Sequence, residues 1–318
     1  MTRAAARPPL FVLVRLLVVR LAQAALLVWF VVTLFFIASR VMPGDPIRAM
    51  FGFKRPPPEL LAELHERYLL DRSLWVQYWD HVGGLLHLDF GVTYRGDRPV
   101  GPMITAALKV SLRTLAIALP IQVAFGALGG MLPRMTRSRF ARLTARMPAA
   151  VVASIPVFVI AHLVRVLLVE WGVMYPSLEP GSWQEVLLPG LILGTVFGGY
   201  VALVTDDALG EQLQAPHVGA ARGRGITPNR ILRVHALRPA LPPVITLIGI
   251  NMAQVVTSLL IVELVLGAPG LGTLMYEGIR GREHDIVVGV AIVGTGLAIL
   301  ASTLTDVVVA AVDPRITR

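Results

Sequence analysis

The chain has no cysteine. Disulfides, thiolate chemistry and cysteine-ligated metals are therefore excluded. Charge is scarce: 15% of the 318 residues are Asp, Glu, Lys or Arg, against about 25% in an average soluble domain. Lysine is nearly missing. Lys54 and Lys109 occur, and every other basic residue is arginine. No Gly-x-x-x-x-Gly-Lys-Ser/Thr run is present, so the chain does not hydrolyse ATP through a phosphate-binding loop of that kind. The histidines show no His-Glu-x-x-His spacing and no Gly-x-Ser-x-Gly elbow occurs, so no catalytic residue and no metal ligand set is expected. Asp206 and Asp207 are adjacent, but helix neighbours point in different directions, and the pair reads as a solvated helix end.

What is present is apolar. Hydrophobic residues make up 55% of the chain and the mean hydropathy is +0.69. A soluble globule of this length has too little interior to hide that surface, and a disordered chain would be poor in apolar residues. A membrane span needs about 20 mostly apolar residues. Six stretches qualify: Leu21–Ala38, Thr114–Leu132, Met147–Val169, Val186–Thr205, Pro239–Val262 and Ile286–Thr305, the last able to continue to Val312. None alternates as a barrel strand does, and in lipid the backbone must satisfy itself, so six transmembrane helices are expected. Ala22-Gln23-Ala24 could end a signal peptide, but the apolar run continues to Ala38, which favours an uncleaved first span.

The net charge of +9 and pI of about 10.7 fit basic cytoplasmic loops better than nucleic-acid binding. Arg3, Arg7, Arg15 and Arg20 precede the first span. Arg134, Arg137, Arg139, Arg142 and Arg146 lie near the second loop, Arg222, Arg224, Arg230, Arg233 and Arg238 after the fourth span, and Arg315 and Arg318 in the tail. The alternate segments are acidic or mixed: Glu170, Glu179 and Glu185 in one, Glu263, Glu277, Glu283 and Asp285 with Arg280 and Arg282 in another. Both termini are therefore expected in the cytoplasm and the long 41–106 segment outside. Within it, Pro56-Pro57-Pro58 starts a helix whose Leu60, Leu61, Leu64 and Tyr68 share one side; this helix either rests on the membrane or docks a partner.

The loop from Pro216 to Arg238 is patterned. Gly225 suits the left-handed position past a helix end, Thr227 an N-cap and Pro228 the first helical position. The segment reads as a short helix, a glycine turn and a second helix entering the fifth span. Gly219, Ala220, Ala221 and Gly223 would let another surface approach closely; a basic loop touching headgroups is the equal alternative. The polar residues within spans, Ser154, Asn251, Gln254, Thr257 and Ser258, either pack helices together or line a pathway. Arg165 is expected to snorkel. Glu263 either lines an outer gate or faces the loop.

Val218, Ala221, Arg222 and Gly225, then His235-Ala236-Leu237-Arg238 and Leu241-Pro242, resemble the "EAA" coupling loop of binding-protein-dependent ABC importer permeases, in the form found in their dipeptide/oligopeptide (peptide/nickel) branch. Pro43-Gly44-Asp45-Pro46, Leu70-Asp71-Arg72, Gln77-Tyr78-Trp79, Leu88-Asp89-Phe90-Gly91, Arg98-Pro99-Val100, Ser154-Ile155-Pro156-Val157-Phe158, Glu263, Pro269-Gly270-Leu271-Gly272 and Asp313-Pro314-Arg315-Ile316 follow in the family's order. The departures are Pro216 for an acid, Arg224 for Lys, Pro239 for Asn, and Asp206 and Asp207 where Arg and Ser are usual.

The resemblance implies an all-α integral membrane protein of the type I ABC importer permease fold in the bacterial inner membrane. Residues 1–106 would form an N-terminal span (about 18–39) with an extracytoplasmic segment. Residues 107–312 would form the core, with spans near 110–132, 147–169, 186–205, 239–262 and 286–312 and a coupling loop over 206–238; residues 313–318 would be a cytoplasmic tail. It implies import of di- or oligopeptides, or of nickel or a metallophore by the same machine. An ion-coupled carrier or channel is the reading from another class. The implied partners are a second, homologous permease, two ATPase subunits that hold ATP and Mg, an extracytoplasmic substrate-binding protein and the bilayer, with no cofactor in this chain. The ATPase contact would involve Pro216, Val218, Gly219, Ala220, Ala221, Arg222, Gly223, Arg224, Gly225, His235 and Arg238. The binding-protein contact would involve Asp45, Asp71, Asp89, Pro269, Gly270 and Gly272.

Overall fold

The computed structural model describes residues 10–41, 45, 47–48, 51, 56–136, 138–172 and 183–312. Among them no strand occurs; the only β-type pairing is an isolated bridge between Val92 and Pro99. The helices are α1 (Leu10–Val41), α2 (Pro58–Arg67), α3 (Leu74–Leu86), α4 (Val100–Met135), α5 (Arg139–Ser154), α6 (Val157–Glu170), α7 (Gln184–Gln212), α8 (Pro216–Gly223), α9 (Pro228–Leu266), α10 (Leu271–Gly281) and α11 (His284–Val312). Four of these, α4, α7, α9 and α11, are long and apolar enough to cross a membrane, and α5 with α6 makes a fifth if the bent pair is one span. The apolar stretch Ala22–Ala38 lies within α1. The motifs at Pro43, Gly44 and Pro46 and the closing run 313–318 lie outside the described residues.

The described residues divide into two compact units, one of 111–268 and 298–312, the other of 10–110 and 269–297. In the first, α9 packs along α7 and against α6, and α5 packs on α7. The contact of α4 with α7 is built from glycine. Gly190, Gly194 and Gly198 of α7 lie four residues apart, and a Cβ at each would run into α4. At Gly194 it would stand 2.6 Å from the Cβ of Ile121 and 2.7 Å from the carbonyl oxygen of Ala118. Reciprocally, a Cβ at Gly126 would overlap Val201, and one at Gly130 would lie 2.7 Å from the Ala202 carbonyl oxygen. Two helices in lipid gain nothing from excluding water, so van der Waals contact between closely approaching backbones holds them.

One expected span is broken. Met147–Val169 is not a single helix: α5 ends at Ser154, α6 begins at Val157, and the two are bent by 99°. Pro156 causes this. It has no N–H to continue the ladder, and it forces the preceding residue out of the helical region; Ile155 sits at φ −101°, ψ 130°. Ser154 closes the end by donating its hydroxyl to the Ala150 carbonyl at 2.7 Å.

Arg165 does not simply snorkel. Its Nη1 donates to the Val265 carbonyl at 2.7 Å, in the last turn of α9, where helix carbonyls lack partners. Gly267 follows at φ +74°, and the Ala268 N–H returns to the Glu263 carbonyl at 2.9 Å, a left-handed helix stop.

In the second unit, Glu283 is buried and its carboxylate accepts from the backbone N–H groups of Tyr94 (2.6 Å) and Arg95 (3.1 Å). The same turn is held by Tyr68, whose hydroxyl donates to Asp97 Oδ1 at 2.6 Å; burial first, then that bond, push the phenol up to about 12.

The glycine ladder makes a sharp prediction. Gly194→Leu should destabilise the protein by about 3 kcal/mol or more, through overpacking that two rigid backbones cannot relieve. Gly219→Ala should leave stability unchanged or raise it by up to about 1 kcal/mol, because a Cβ there meets nothing within 4 Å and alanine favours a helix over glycine. Thermal unfolding in one detergent compares the two.

Candidate functional site: the basic loop, its anchor and a polar groove

Residues 216–238 form the helix, glycine turn and helix expected from the sequence. Pro216 opens α8, Gly225 stands at φ +75°, Thr227 is the N-cap of α9 and Pro228 its first residue. Val218 and Ala221 face inward and form a buried cluster with Ile231, packed by Leu213 and Ile226. The opposite side of α8 is open. Gly219, Ala220, Arg222 and Gly223 are exposed, and a Cβ at Gly219 or Gly223 would meet nothing within 4 Å. These glycines serve no packing need inside the chain. Arg224, Arg230, Arg233 and Arg238 are exposed around the same surface, and Arg222 Nη2 reaches the Leu213 carbonyl at 3.3 Å.

Alpha-9 begins irregularly. Its Ile231–Ala236 segment is a π-helical turn, a form that recurs at functional sites. Pro239 lacks the N–H that an α-helix would send to the His235 carbonyl. His217 Nε2 of α8 lies 3.2 Å from that oxygen, and its Nε2–H tautomer supplies the missing donor. Leu232 and Ala236 pack with Ala208 and Leu209 of α7. The loop is thereby seated on the end of α7.

That end carries a feature the sequence reading missed. Asp206 is not a solvated residue but 1% exposed. Its carboxylate takes Arg134 Nε of α4 at 2.5 Å and Arg146 Nη1 of α5 at 2.8 Å, and Arg146 also holds Asp207 at 2.8 Å. The partners lie 72 and 60 residues away, so local sequence gave no sign of them; charge-assisted pairing of two arginines makes burial of the carboxylate tolerable. Asp207 alone is exposed.

Three of the six candidate pathway residues come together. Gln254, Thr257 and Ser258 of α9 line a groove of about 410 Å³ with Val157, Val196, Phe197, Tyr200 and Ala253. Tyr200 is a lining residue that apolar-run counting hides. Ser154, Asn251 and Glu263 do not line it. Asn251 is buried, and its Nδ2 has no partner among the described residues. Glu263 is fully buried and accepts from Ser111 Oγ of α4 at 2.7 Å, so it neither faces the loop nor stands open.

In the other unit, His65 stands between two of the candidate aspartates, with Nε2 3.1 Å from Asp45 and Nδ1 3.7 Å from Asp71. Asp89 Oδ1 accepts from the Gly91 N–H at 2.9 Å. Gly270 is the N-cap of α10, and Leu271 and Gly272 are buried, while Pro269 and Gly270 precede the helix. Among the described residues no group of His, Asp and Glu could hold a metal ion.

A helical chain with several apolar spans and an exposed basic loop anchored on them is a multi-pass membrane protein. The family model for the binding-protein-dependent transport system inner membrane component matches residues 122–318, and that for the N-terminal part of such membrane components matches residues 13–121; the chain belongs to this family. It is 28% identical over 311 residues to the oligopeptide transport system permease protein OppB of Haemophilus influenzae, covering 93% of this chain and 97% of that one. It is 27% identical over 284 residues to the glutathione transport system permease protein GsiC of Shigella flexneri, covering 89% and 92%. Among solved structures it resembles a chain of the MetNI methionine ABC transporter in inward-facing form, at TM-score 0.53 and 23% identity over 67% of this chain and 98% of that chain. It also resembles one of an amino acid ABC transporter, at TM-score 0.50 and 19% identity over 65% and 92%. These likenesses show the fold.

The ion-pair cluster separates two adjacent acids. Asp206→Ala should cost about 3–5 kcal/mol, because two arginines lose a buried partner. Asp207→Ala should cost under about 1 kcal/mol, as for an exposed pair. Equal costs in thermal or denaturant unfolding would refute the assignment.

Proposed function

We propose that the chain is one of two membrane subunits of an ATP-driven importer of di- and oligopeptides in the bacterial inner membrane. Support for the substrate class comes from the two transport permeases it resembles along nearly their whole length, one named for oligopeptides and one for glutathione, itself a peptide. In this reading α1, α4, the bent pair α5–α6, α7, α9 and α11 are the six crossings of a type I importer permease, with both termini in the cytoplasm and 41–106 outside, as the loop charges suggest. Residues 1–106 then form the first span with its outer segment, 107–312 the core and 313–318 the tail. The partners are a second, homologous permease, two ATPase subunits that hold ATP and Mg, and an extracytoplasmic substrate-binding protein. The chain itself carries out no chemistry and holds no cofactor.

The observation that carries the reading is the two-sided character of α8. Val218 and Ala221 bind it to the start of α9, while Gly219 and Gly223 leave bare backbone facing outward among exposed arginines. A helix held rigidly by one face and stripped of side chains on the other is built to enter a partner's groove. We assign the ATPase contact to the exposed Pro216, Gly219, Ala220, Arg222, Gly223, Arg224, Gly225 and Arg238 with the half-buried His235, whereas Val218 and Ala221, expected in that contact, are buried and hold α8 on the start of α9 instead. Closure of the ATPases would move α8, and with it α7 and α9, so that the spans rock between inward- and outward-open arrangements. Gln254, Thr257, Ser258 and Tyr200 would line the path between the permeases. The binding protein would meet Asp45, Asp71, Asp89 and the 269–272 turn.

Gly219→Trp tests this on the co-expressed complex. The folded subunit should keep its unfolding temperature, since the position is open. Co-purified ATPase should fall about tenfold or more, equivalent to about 1.4 kcal/mol of binding, and uptake of labelled peptide should be lost with it. Unchanged ATPase capture and uptake would overturn the docking assignment. Uptake of a nickel chelate in place of peptide would overturn the substrate class.

A further inference from the structure

Helix α3 has the wrong side out for a helix in water. Trp75, Trp79, Val82 and Leu86 recur at spacings of four, three and four residues, which places them within an arc of about 60° at 100° per residue. Trp75 is 69% exposed, Trp79 52% and Leu86 80%, with Leu74, Val76 and Leu88 exposed beside them. The polar residues lie on the other side. Gln77 is buried, donating Nε2 to the carbonyls of Arg72 (2.7 Å) and Leu70 (3.3 Å). Asp80, His81 and Gly84 line a cavity of about 170 Å³ with Asp89 and Asp285. The helix therefore turns Gln77 and His81 toward the unit's interior and its indoles outward, with Asp80 exposed at the cavity's rim.

Its position is fixed by α1. Thr33 donates its hydroxyl to the Trp29 carbonyl at 2.9 Å, so at the 2.8 Å contact with Tyr78 the tyrosine donates. The Phe36 ring meets the Tyr78 ring edge-on at 5.3 Å. Thr33 and Phe36 belong to the uncharged run 21–39 of α1, and Thr33 lies seven residues before Arg40, about 10 Å along the axis. The neighbouring α1 surface, Leu26, Leu27, Trp29, Phe30, Leu34 and Ile37, is exposed and apolar.

We propose that α3 is a membrane-embedded interfacial helix, lying in the headgroup–acyl boundary of the outer leaflet with Trp75, Trp79, Val82 and Leu86 in lipid. Its occupant is lipid because the stripe continues the apolar outer face of α1 at a depth within α1's own apolar run. Two indoles on one face match the side chain preferred at that boundary. This surface then leaves the part of 41–106 available to a binding protein, and Asp80, Asp89 and Asp285 are held at the membrane edge by a lipid anchor. The inference rests on reading α1 as a span.

The absence of native cysteine makes the test clean. Single-cysteine variants Val82→Cys, Leu86→Cys, His87→Cys and Leu26→Cys are made in the full chain within its co-purified complex, whose yield controls for folding. Each is placed in phosphatidylethanolamine/phosphatidylglycerol nanodiscs with or without acyl-chain doxyl lipid. Bimane at Val82→Cys and Leu86→Cys should lose about half its emission or more to doxyl lipid, and both should react with a membrane-impermeant thiol reagent about tenfold more slowly than His87→Cys, as expected of an interfacial apolar face. Reaction as fast as at His87→Cys would put the stripe in water. Protection without lipid quenching would put a protein on it. Either result overturns the proposal while Leu26→Cys, quenched by lipid, still supports the span; an unquenched Leu26→Cys overturns both.

Discussion

The close approach of α4 and α7 is the contact on which the rest of the core unit depends. In hydrocarbon there is no water to expel, so helices hold together by backbone proximity and by polar groups that have nowhere else to go. Glycine every fourth residue on α7 meets the side chains and carbonyls of α4, and α4 returns Gly126 and Gly130 to α7. Only at that separation does Arg134, near the end of α4, reach Asp206. Gly210 shows the same dependence, because a Cβ there would sit against the Arg134 guanidinium. Asp206 in turn fixes Arg146 and so the entry of α5. Beyond it Ala208 and Leu209 receive Leu232 and Ala236 of α9, and Leu213 joins the cluster under α8. Ladder, ion pairs and loop anchor form one packed series, with each step positioned by the one before it. A displacement imposed on α8 therefore acts on whole helices rather than on a loose loop.

Backbone accounting explains the polar residues that do not belong to that series. An unsatisfied carbonyl in an apolar setting costs several kcal/mol. Three breaks in the regular backbone are covered by side chains. Pro239 leaves the His235 carbonyl open, and His217 covers it. The end of α9 leaves the Val265 carbonyl open, and Arg165 covers it. The turn at 93–98 presents two N–H groups, and Glu283 takes both. His217, Arg165 and Glu283 are therefore structural residues, which separates them from Gln254, Thr257 and Ser258, whose side chains border open space.

What could be read from the sequence follows the range of the interaction. Gly225, Thr227 and Pro228 act on their own few residues, and the turn they imply is the turn observed. Apolar runs located α4, α7, α9 and α11 because a span is a local property. Pro156 was visible in Met147–Val169, but counting apolar residues treats a proline as one more of them; its lost N–H and its effect on Ile155 decide the bend. Asp206 was unreadable because its charge partners sit on two other helices. Glu263 with Ser111, 152 residues apart, is the same case. The stripe on α3 was present in the spacing of Trp75, Trp79, Val82 and Leu86, yet only the Tyr78–Thr33 contact tells at what depth that spacing operates.

The near-exclusive use of arginine takes on meaning in this setting. A lysine ammonium is a strongly hydrated point charge, whereas guanidinium offers a planar fork of donors and gives up water more readily. Arg146 uses that fork to hold Asp206 and Asp207 together. Arg134 reaches both the carboxylate and the backbone carbonyl of Asp206, and Arg165 caps a helix carbonyl. Each of these is a directed bond that lysine would make poorly. The exposed Arg224, Arg230, Arg233 and Arg238 around α8 are the same residue type on a surface where the chain itself demands no fork. A planar donor set facing outward beside bare glycine backbone suits a protein surface offering carboxylates and carbonyls better than it suits bulk water.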